Sequence, residues 1–192
     1  MVTGKPLQQL NYRVRPLWFF ACVVAVLTLP ASAPAAGADR RYALAEHGFF
    51  QLSVPAGWSD QIDEKSQPPL ISFRQSAGPP FIVSVTPVWQ ATRPAASRDE
   101  LRAEVGRMAA AIRLFAVEQD IKLNEFAGAA GPGFYFFATD AAPGPGEFKF
   151  MNRGMLRVGD LAVTFTILTN EGQDAIVRAA LEMLKAAVHV PQ

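Results

Sequence analysis

Phe50, Leu52 and Val54 alternate with Gln51 and Ser53, a period-two pattern that places the apolar side chains on one face of a half-buried strand. Ile71 and Phe73 alternate with Ser72 and Arg74 in a second short strand. Between them, Ser59 to Pro69 carries Asp60, Asp63 and Glu64 and few apolar residues, so it reads as a polar connection. After the turn signal Gly78-Pro79-Pro80, Phe81 to Trp89 forms a third strand with Phe81, Val83 and Val85 on one face. Pro87 lacks an amide hydrogen, which predicts a sheet edge there or an exit from the sheet.

The period then changes. Ser97-Arg98-Asp99-Glu100 is a capping box, in which the serine oxygen takes the amide three residues on and the glutamate reaches back. Leu101, Val105, Met108, Ile112 and Phe115 step by four, three, four and three, which aligns them on one apolar helical stripe and predicts core positions for all of them. Four strands follow, Ile121 to Phe126, Phe134 to Thr139, Glu147 to Arg157 and Leu161 to Leu168. Glycines 128, 131 and 133, the run Pro143-Gly144-Pro145-Gly146, and Gly159-Asp160 punctuate them, the last as a tight hairpin. Asn170 is placed to cap a final helix whose apolar face comprises Ile176, Val177, Ala180, Leu181, Met183, Leu184 and Val188. The order βββαββββα, with short links and alternating faces, predicts an α+β fold: an antiparallel sheet of about six to seven strands flanked by helices as an α/β/α sandwich.

The first 38 residues have no place in that pattern. Lys5, Arg13 and Arg15 precede an uncharged run from Leu17 to Leu29, and small residues follow up to Ala38. This is the composition of a signal peptide, with a core too short for a comfortable bilayer span of about 20 residues. Residues 39–192 are then a single globular domain, periplasmic or secreted. An uncleaved anchor is the alternative, and membrane contact is expected only in that case. The sole cysteine, Cys22, lies in the apolar run, so the mature chain has no thiol for disulfides, catalysis or metal binding. Removing Lys5, Arg13 and Arg15 leaves 15 basic residues against 17 acidic ones, a formal charge of about −2. That balance predicts no nucleic-acid partner. Arg98, Arg102, Arg107 and Arg113 are interleaved with Asp99, Glu100, Glu104 and Glu118, as on a solvated helix face.

The strand ending in Val54-Pro55-x-Gly57-Trp58, the capped helix after three strands, and the final hairpin running into a helix through Phe165-Thr166-Ile167-Leu168-Thr169-Asn170 together resemble the PsbP/DcrB-like domains. The resemblance spans Tyr42 to Val188. It implies an α/β/α sandwich that usually serves as a binding or assembly module. Relatives range from photosystem accessory subunits to a GTPase-binding nuclear protein and toxin chaperones, so the resemblance selects no single role.

Candidate chemistry is sparse. His47 and His189 are the only histidines, and no Gly-x-Ser-x-Gly elbow surrounds a serine. Ser53 or Ser59 with His47 and Asp60 is the one triad that sequence proximity suggests. Asp60, Asp63 and Glu64 lack the spacing of a calcium loop, and Gly128 to Gly133 precedes a strand where a phosphate-binding loop precedes a helix. No catalytic residue, metal site or cofactor is therefore assigned. The candidate binding residues are the aromatics at strand ends or on the less apolar face, Trp58, Trp89, Tyr135 and Phe137, and loop Ala141 to Gly146 is a candidate contact loop. The expected function is that of an exported, non-enzymatic binding or accessory domain of the bacterial envelope, with an envelope protein or apolar ligand as partner. The alternatives are a periplasmic hydrolase using His47 and a structural protein tethered by its N-terminus.

Overall fold

The computed structural model describes residues 37–63, 65–89 and 95–192. Residues 1–36 of the proposed signal peptide, its anchor alternative and Cys22 lie outside the described residues, as does Glu64; Ala38, the expected last leader residue, opens β1 opposite Val54. In chain order the strands are β1 (Ala38–Ala43), β2 (Phe49–Val54), β3 (Trp58–Asp63), β4 (Leu70–Gln75) and β5 (Ile82–Val88). Helix α1 (Arg98–Ile112) precedes β6 (Leu123–Gly128), β7 (Gly131–Thr139), β8 (Phe150–Val158) and β9 (Leu161–Thr169), and α2 (Asp174–Lys185) precedes β10 (Val188–Val190).

Two antiparallel meanders make the large sheet, in the order β3-β4-β5-β9-β8-β7-β6. The chain leaves β5, passes through α1, starts again at the far edge with β6 and works back until β9 pairs with β5, Val85 opposite Phe165. A separate sheet of order β1-β2-β10 and helix α2 share one face of the large sheet. Phe50, Leu52 and Val54 of β2 meet Ile71, Phe73, Val83, Val85, Val163, Phe165 and Ile167 in the main core, with Ala180, Met183 and Leu184 of α2. On the opposite face α1 packs Leu101, Val105 and Ala109 against Phe134, Phe136 and Ala138. The α+β sandwich expected from the order of elements is what forms, with a small second sheet added to one layer.

Several elements differ from the sequence pattern. Ser59 to Asp63 is a strand, not a polar connection: β3 lies at the edge of the sheet, where one face needs little apolar cover, so its composition hides it. β1 and β10 were missed for the same reason, with Tyr42 the only buried residue of β1 and none in β10. Val188 consequently leaves the expected face of α2 and pairs with Gln51. Pro87 sits in an interior strand, yet the ladder to β4 stops at Val85 while that to β9 continues to Val88, so the proline falls where one side of β5 is unpaired. Asn170 does not cap α2. Its carboxamide oxygen instead accepts from the Lys149 amide at 3.0 Å, and the helix starts after Gln173. Gln173 donates to the carbonyls of Pro79 and Pro80 at 3.2 and 3.1 Å, tying the start of α2 to the turn before β5. The capping box of α1 forms as expected, with the Ser97 amide donating to Glu100 at 2.9 Å. After Ile112 that helix tightens into a 3₁₀ turn, Arg113–Phe115, which rotates the side chains off the α-helical stripe. Phe115 is 71% exposed, not core.

Glycine is required at two places for different reasons. Gly57 turns the chain from β2 into β3 at φ 79°, with the Trp58 amide donating to the Pro55 carbonyl at 3.2 Å. Gly154 faces the main core from the middle of β8, where an added Cβ would meet the Phe134 carbonyl and lie 2.6 Å from the Tyr135 Cβ. Backbone on one side leaves no room to relax, so Gly154→Ala is expected to lower the unfolding free energy by about 1–3 kcal/mol. Phe165→Ala, a buried truncation, is expected to cost about 3–5 kcal/mol. Urea denaturation of both variants checks these values; an unchanged midpoint for Gly154→Ala would remove the close-contact account.

Candidate functional site

The structure separates the candidate aromatics into three places. Trp58 opens β3 and packs its ring on Phe81, centroids 4.6 Å apart and tilted by 50°. It packs, half-buried, against the main core at one end of the sheet. Trp89 follows β5 at the other end and stands against the His47 ring at 4.8 Å. Tyr135 and Phe137 alternate on the same face of β7 and line one recess together.

The Trp89 recess has a volume of about 530 Å³. Tyr42 and Leu44 come from the small sheet and the residue after it, Ile62 and Ile71 from β3 and β4, and Pro68 and Pro69 from their connection. The wall is thus apolar on all sides that the strands provide. Tyr42 donates to Asp60 Oδ2 at 3.1 Å, with Arg40 3.9 Å from the other carboxylate oxygen. Burial first, then the Asp60 charge and hydrogen bond, raise the Tyr42 phenol well above its usual value, so it remains a neutral donor at any physiological pH.

The Tyr135–Phe137 recess has a volume of about 410 Å³ and lies between the β7–β8–β9 surface and the start of α2. Phe137, 40% exposed, pairs with Phe150 at 5.7 Å, and Tyr135 leans its edge on Phe126 at 5.9 Å. Asn124, Asn152, Thr169 and Asn170 supply polar groups, with Glu171 and Asp174 at the α2 end. Sequence reasoning singled out the two aromatics and missed Asn152 and Thr169. A signal was present: each interrupts a run of core-facing positions, Asn152 before Gly154, Leu156 and Val158, and Thr169 after Leu161, Val163, Phe165 and Ile167.

The histidine constellation is not assembled. Ser53 donates to Asp39 at 2.6 Å, Ser59 to the Arg74 carbonyl at 3.3 Å, and Asp60 is engaged by Tyr42. His189 is in β10 with Nε2 2.8 Å from the His47 carbonyl oxygen. Asp63 accepts from the Lys65 amide and the Ser66 hydroxyl, and among the described residues no cluster of three carboxylate, histidine or cysteine groups is placed to hold a metal. Loop Ala141 to Gly146 is exposed apart from half-buried Gly144 and is held by Glu147, which accepts from the Gly144 amide at 2.7 Å.

No family model matches the sequence, and no curated protein matches it. Solved structures do match. The solution structure of CyanoP, the cyanobacterial PsbP of Synechocystis, aligns over 86% of this chain and 99% of its own with a TM-score of 0.54 and 11% identity. The fold is PsbP-like. A crystal structure from Bacteroides thetaiotaomicron aligns over 80% of this chain with a TM-score of 0.56 and 12% identity, and this chain spans 49% of that one. At such identities the PsbP-like architecture is shared and the side chains of the recesses are this chain's own.

One further surface of this PsbP-like domain was missed. Leu114, Phe115 and Val117 are 87, 71 and 58% exposed on the segment that leaves α1. That segment is pinned to the end of β7: the Val117 amide donates to the Thr139 carbonyl at 2.9 Å, and Glu118 accepts from the Thr139 amide and hydroxyl at 2.8 and 2.7 Å. Burial works to raise the Glu118 carboxyl, but the two Thr139 hydrogen bonds, together with one from its own backbone amide, outweigh it and hold the pKa below the ordinary glutamate value. A depressed folded-state pKa means the contribution is complete above the unfolded value, about 4.3, and is lost as pH falls through the folded one. The stability difference between the native chain and Glu118→Gln, measured by urea denaturation, is therefore expected to be largest near neutral pH and to shrink on acidification below about pH 4.3. A pH-independent difference would show that the carboxylate charge is not what Thr139 holds.

Proposed function

We propose that the chain is an exported, non-enzymatic binding or accessory domain of the bacterial cell envelope, and that it captures an apolar ligand or an apolar segment of an envelope protein. The Trp89 recess carries this reading. Its walls combine an indole, two prolines and the side chains of Tyr42, Leu44, Ile62 and Ile71, with Ser66 and Gln67 as further polar residues, the concave, mostly apolar lining with a few polar groups that small-molecule sites share. Ile62, 38% exposed on the edge strand, and the Trp89 ring give an incoming apolar group surface to bury, at roughly 25 cal/mol per Å². The basic start, short apolar run and small-residue tract of the first 38 residues support export.

N-phenylnaphthylamine, whose fluorescence rises in apolar surroundings, is expected to bind the purified protein, and Trp89→Ala to weaken that binding at least tenfold while Trp58→Ala leaves it within about twofold. Cross-linking in intact envelopes is expected to give an adduct that Trp89→Ala removes. Dye binding that survives Trp89→Ala and a cross-linking pattern unaltered by it would defeat the reading. The intact mass of the exported protein is expected to lack residues 1–38; a full-length mass would favour the tethered alternative.

A further inference from the structure

Asn152 is 4% exposed and Thr169 2% exposed, and both line the Tyr135–Phe137 recess. They face the same side of the sheet. Asn152 stands opposite Phe137 of β7, and Thr169 stands opposite Phe150 of β8. Every side-chain hydrogen bond near the recess belongs to other groups: the Lys149 amide to Asn170, the Asn170 amide to Gln173, and the Lys149 ammonium to Glu171. No described residue partners the Asn152 carboxamide. Its polar atoms are nevertheless not sealed in the core, so they open only toward the recess. Water in the recess can meet those atoms, whereas an apolar residue would complete the row made by Leu156 and Val158 and need none. The polar group at that position therefore points to something outside the chain that it binds.

The surroundings restrict what that is. The Phe137 ring, tilted by 34° to Phe150, offers an apolar face at the opening, while the Lys149 ammonium lies 5.4 Å from the centre of the Phe150 ring. Asn152, Asn124 and Thr169 offer uncharged donors and acceptors beneath and beside them. An amide presents a donor and an acceptor in one plane, the complement of two neighbouring hydroxyls that each donate and accept. A ring that carries C–H groups on one face and hydroxyls at its edge satisfies both the aromatic and the amide surfaces. Charge at the mouth selects further. Glu171 is neutralised by its ion pair with Lys149 at 2.6 Å, which leaves the exposed Asp174 carboxylate as the net charge of the lining. Anionic ligands are disfavoured.

We infer that the Tyr135–Phe137 recess is a binding site for a short neutral saccharide, seated with a pyranose face on Phe137 and its hydroxyls on the Asn152 amide. The site lies at the opposite end of β8 and β9 from Trp89 and takes a different class of ligand, so it goes beyond the apolar-capture function and stands or falls separately.

Saturation-transfer NMR on the full chain with cellotriose, chitotriose and maltotriose tests it, with trigalacturonate and the tripeptide Gly-Phe-Gly as contrasting probes. At least one neutral trisaccharide is expected to receive saturation at its ring C–H protons. Asn152→Leu is expected to weaken that ligand at least tenfold without lowering the thermal midpoint, because leucine continues the core-facing row of Leu156 and Val158. Phe137→Ala, at an exposed position, is expected to weaken it about fivefold or more and keeps the test decisive if Asn152→Leu fails to fold. Trp89→Ala is expected to leave saccharide binding unchanged, which separates this site from the apolar recess. Absence of transfer to all three neutral trisaccharides, undiminished transfer in both variants, or tighter binding of trigalacturonate or the tripeptide would overturn the assignment.

Discussion

The pairing of β5 with β9 is the constraint on which the rest of the structure depends. The strands are separated by nearly half of the domain's sequence, yet they are in register from Ile82 opposite Leu168 to Val88 opposite Ala162. Without that seam there are two unconnected antiparallel meanders, each with an open apolar face. With it, Val83 and Val85 join Val163, Phe165 and Ile167 in one continuous surface broad enough to carry both the small sheet and α2. The cost is loop-closure entropy, which grows only slowly with separation, and it is offset by a row of fully buried side chains. The seam also dictates where α1 runs: a chain that leaves β5 and resumes at β6, four strands away, has to cross a face of the sheet.

That crossing makes the two faces unequal. α1 covers the β6–β8 side of one face, where Phe134 and Phe136 are buried, whereas α2 and the small sheet divide the other. Divided cover leaves gaps at both ends. The Trp89 recess opens where the small sheet ends against the β3–β4 connection, and the Tyr135–Phe137 recess opens where α2 begins short of β7 and β8. Both concavities thus follow from topology. What fills or lines them is a matter of individual side chains, free to change while the seam is kept, and structures at 11 and 12% identity share the architecture on those terms.

Legibility in the sequence followed how each element earns its stability. β9, buried at every second residue, is held by its own apolar alternation, and α1 declares its start by a capping box that needs only four adjacent residues. These were readable. β1, β3 and β10 are strands because a neighbour supplies hydrogen bonds, not because their own pattern demands it; Asp39, Asp60 and His189 in them look like loop residues until the partner strand is known. The exit of α1 failed for a related reason. The four-three spacing continued to Phe115, but a 3₁₀ turn obeys a different period, and only the Glu118–Thr139 anchor explains why the chain turns there.

Among the candidate site residues, the same distinction separates Trp58 from Trp89. Both are tryptophans at strand ends, indistinguishable in composition and local pattern. Trp58 packs on Phe81 at the rim of the core, while Trp89 finds the His47 ring and a gap left by the neighbouring sheet. The aromatic residue type announces a large apolar surface, and the long-range pairing decides whether protein or ligand covers it. Polar residues invert the logic. Asn152 is informative because its strand position is core-facing by register, and there a residue's failure to match its neighbours carries more functional content than an aromatic that matches them.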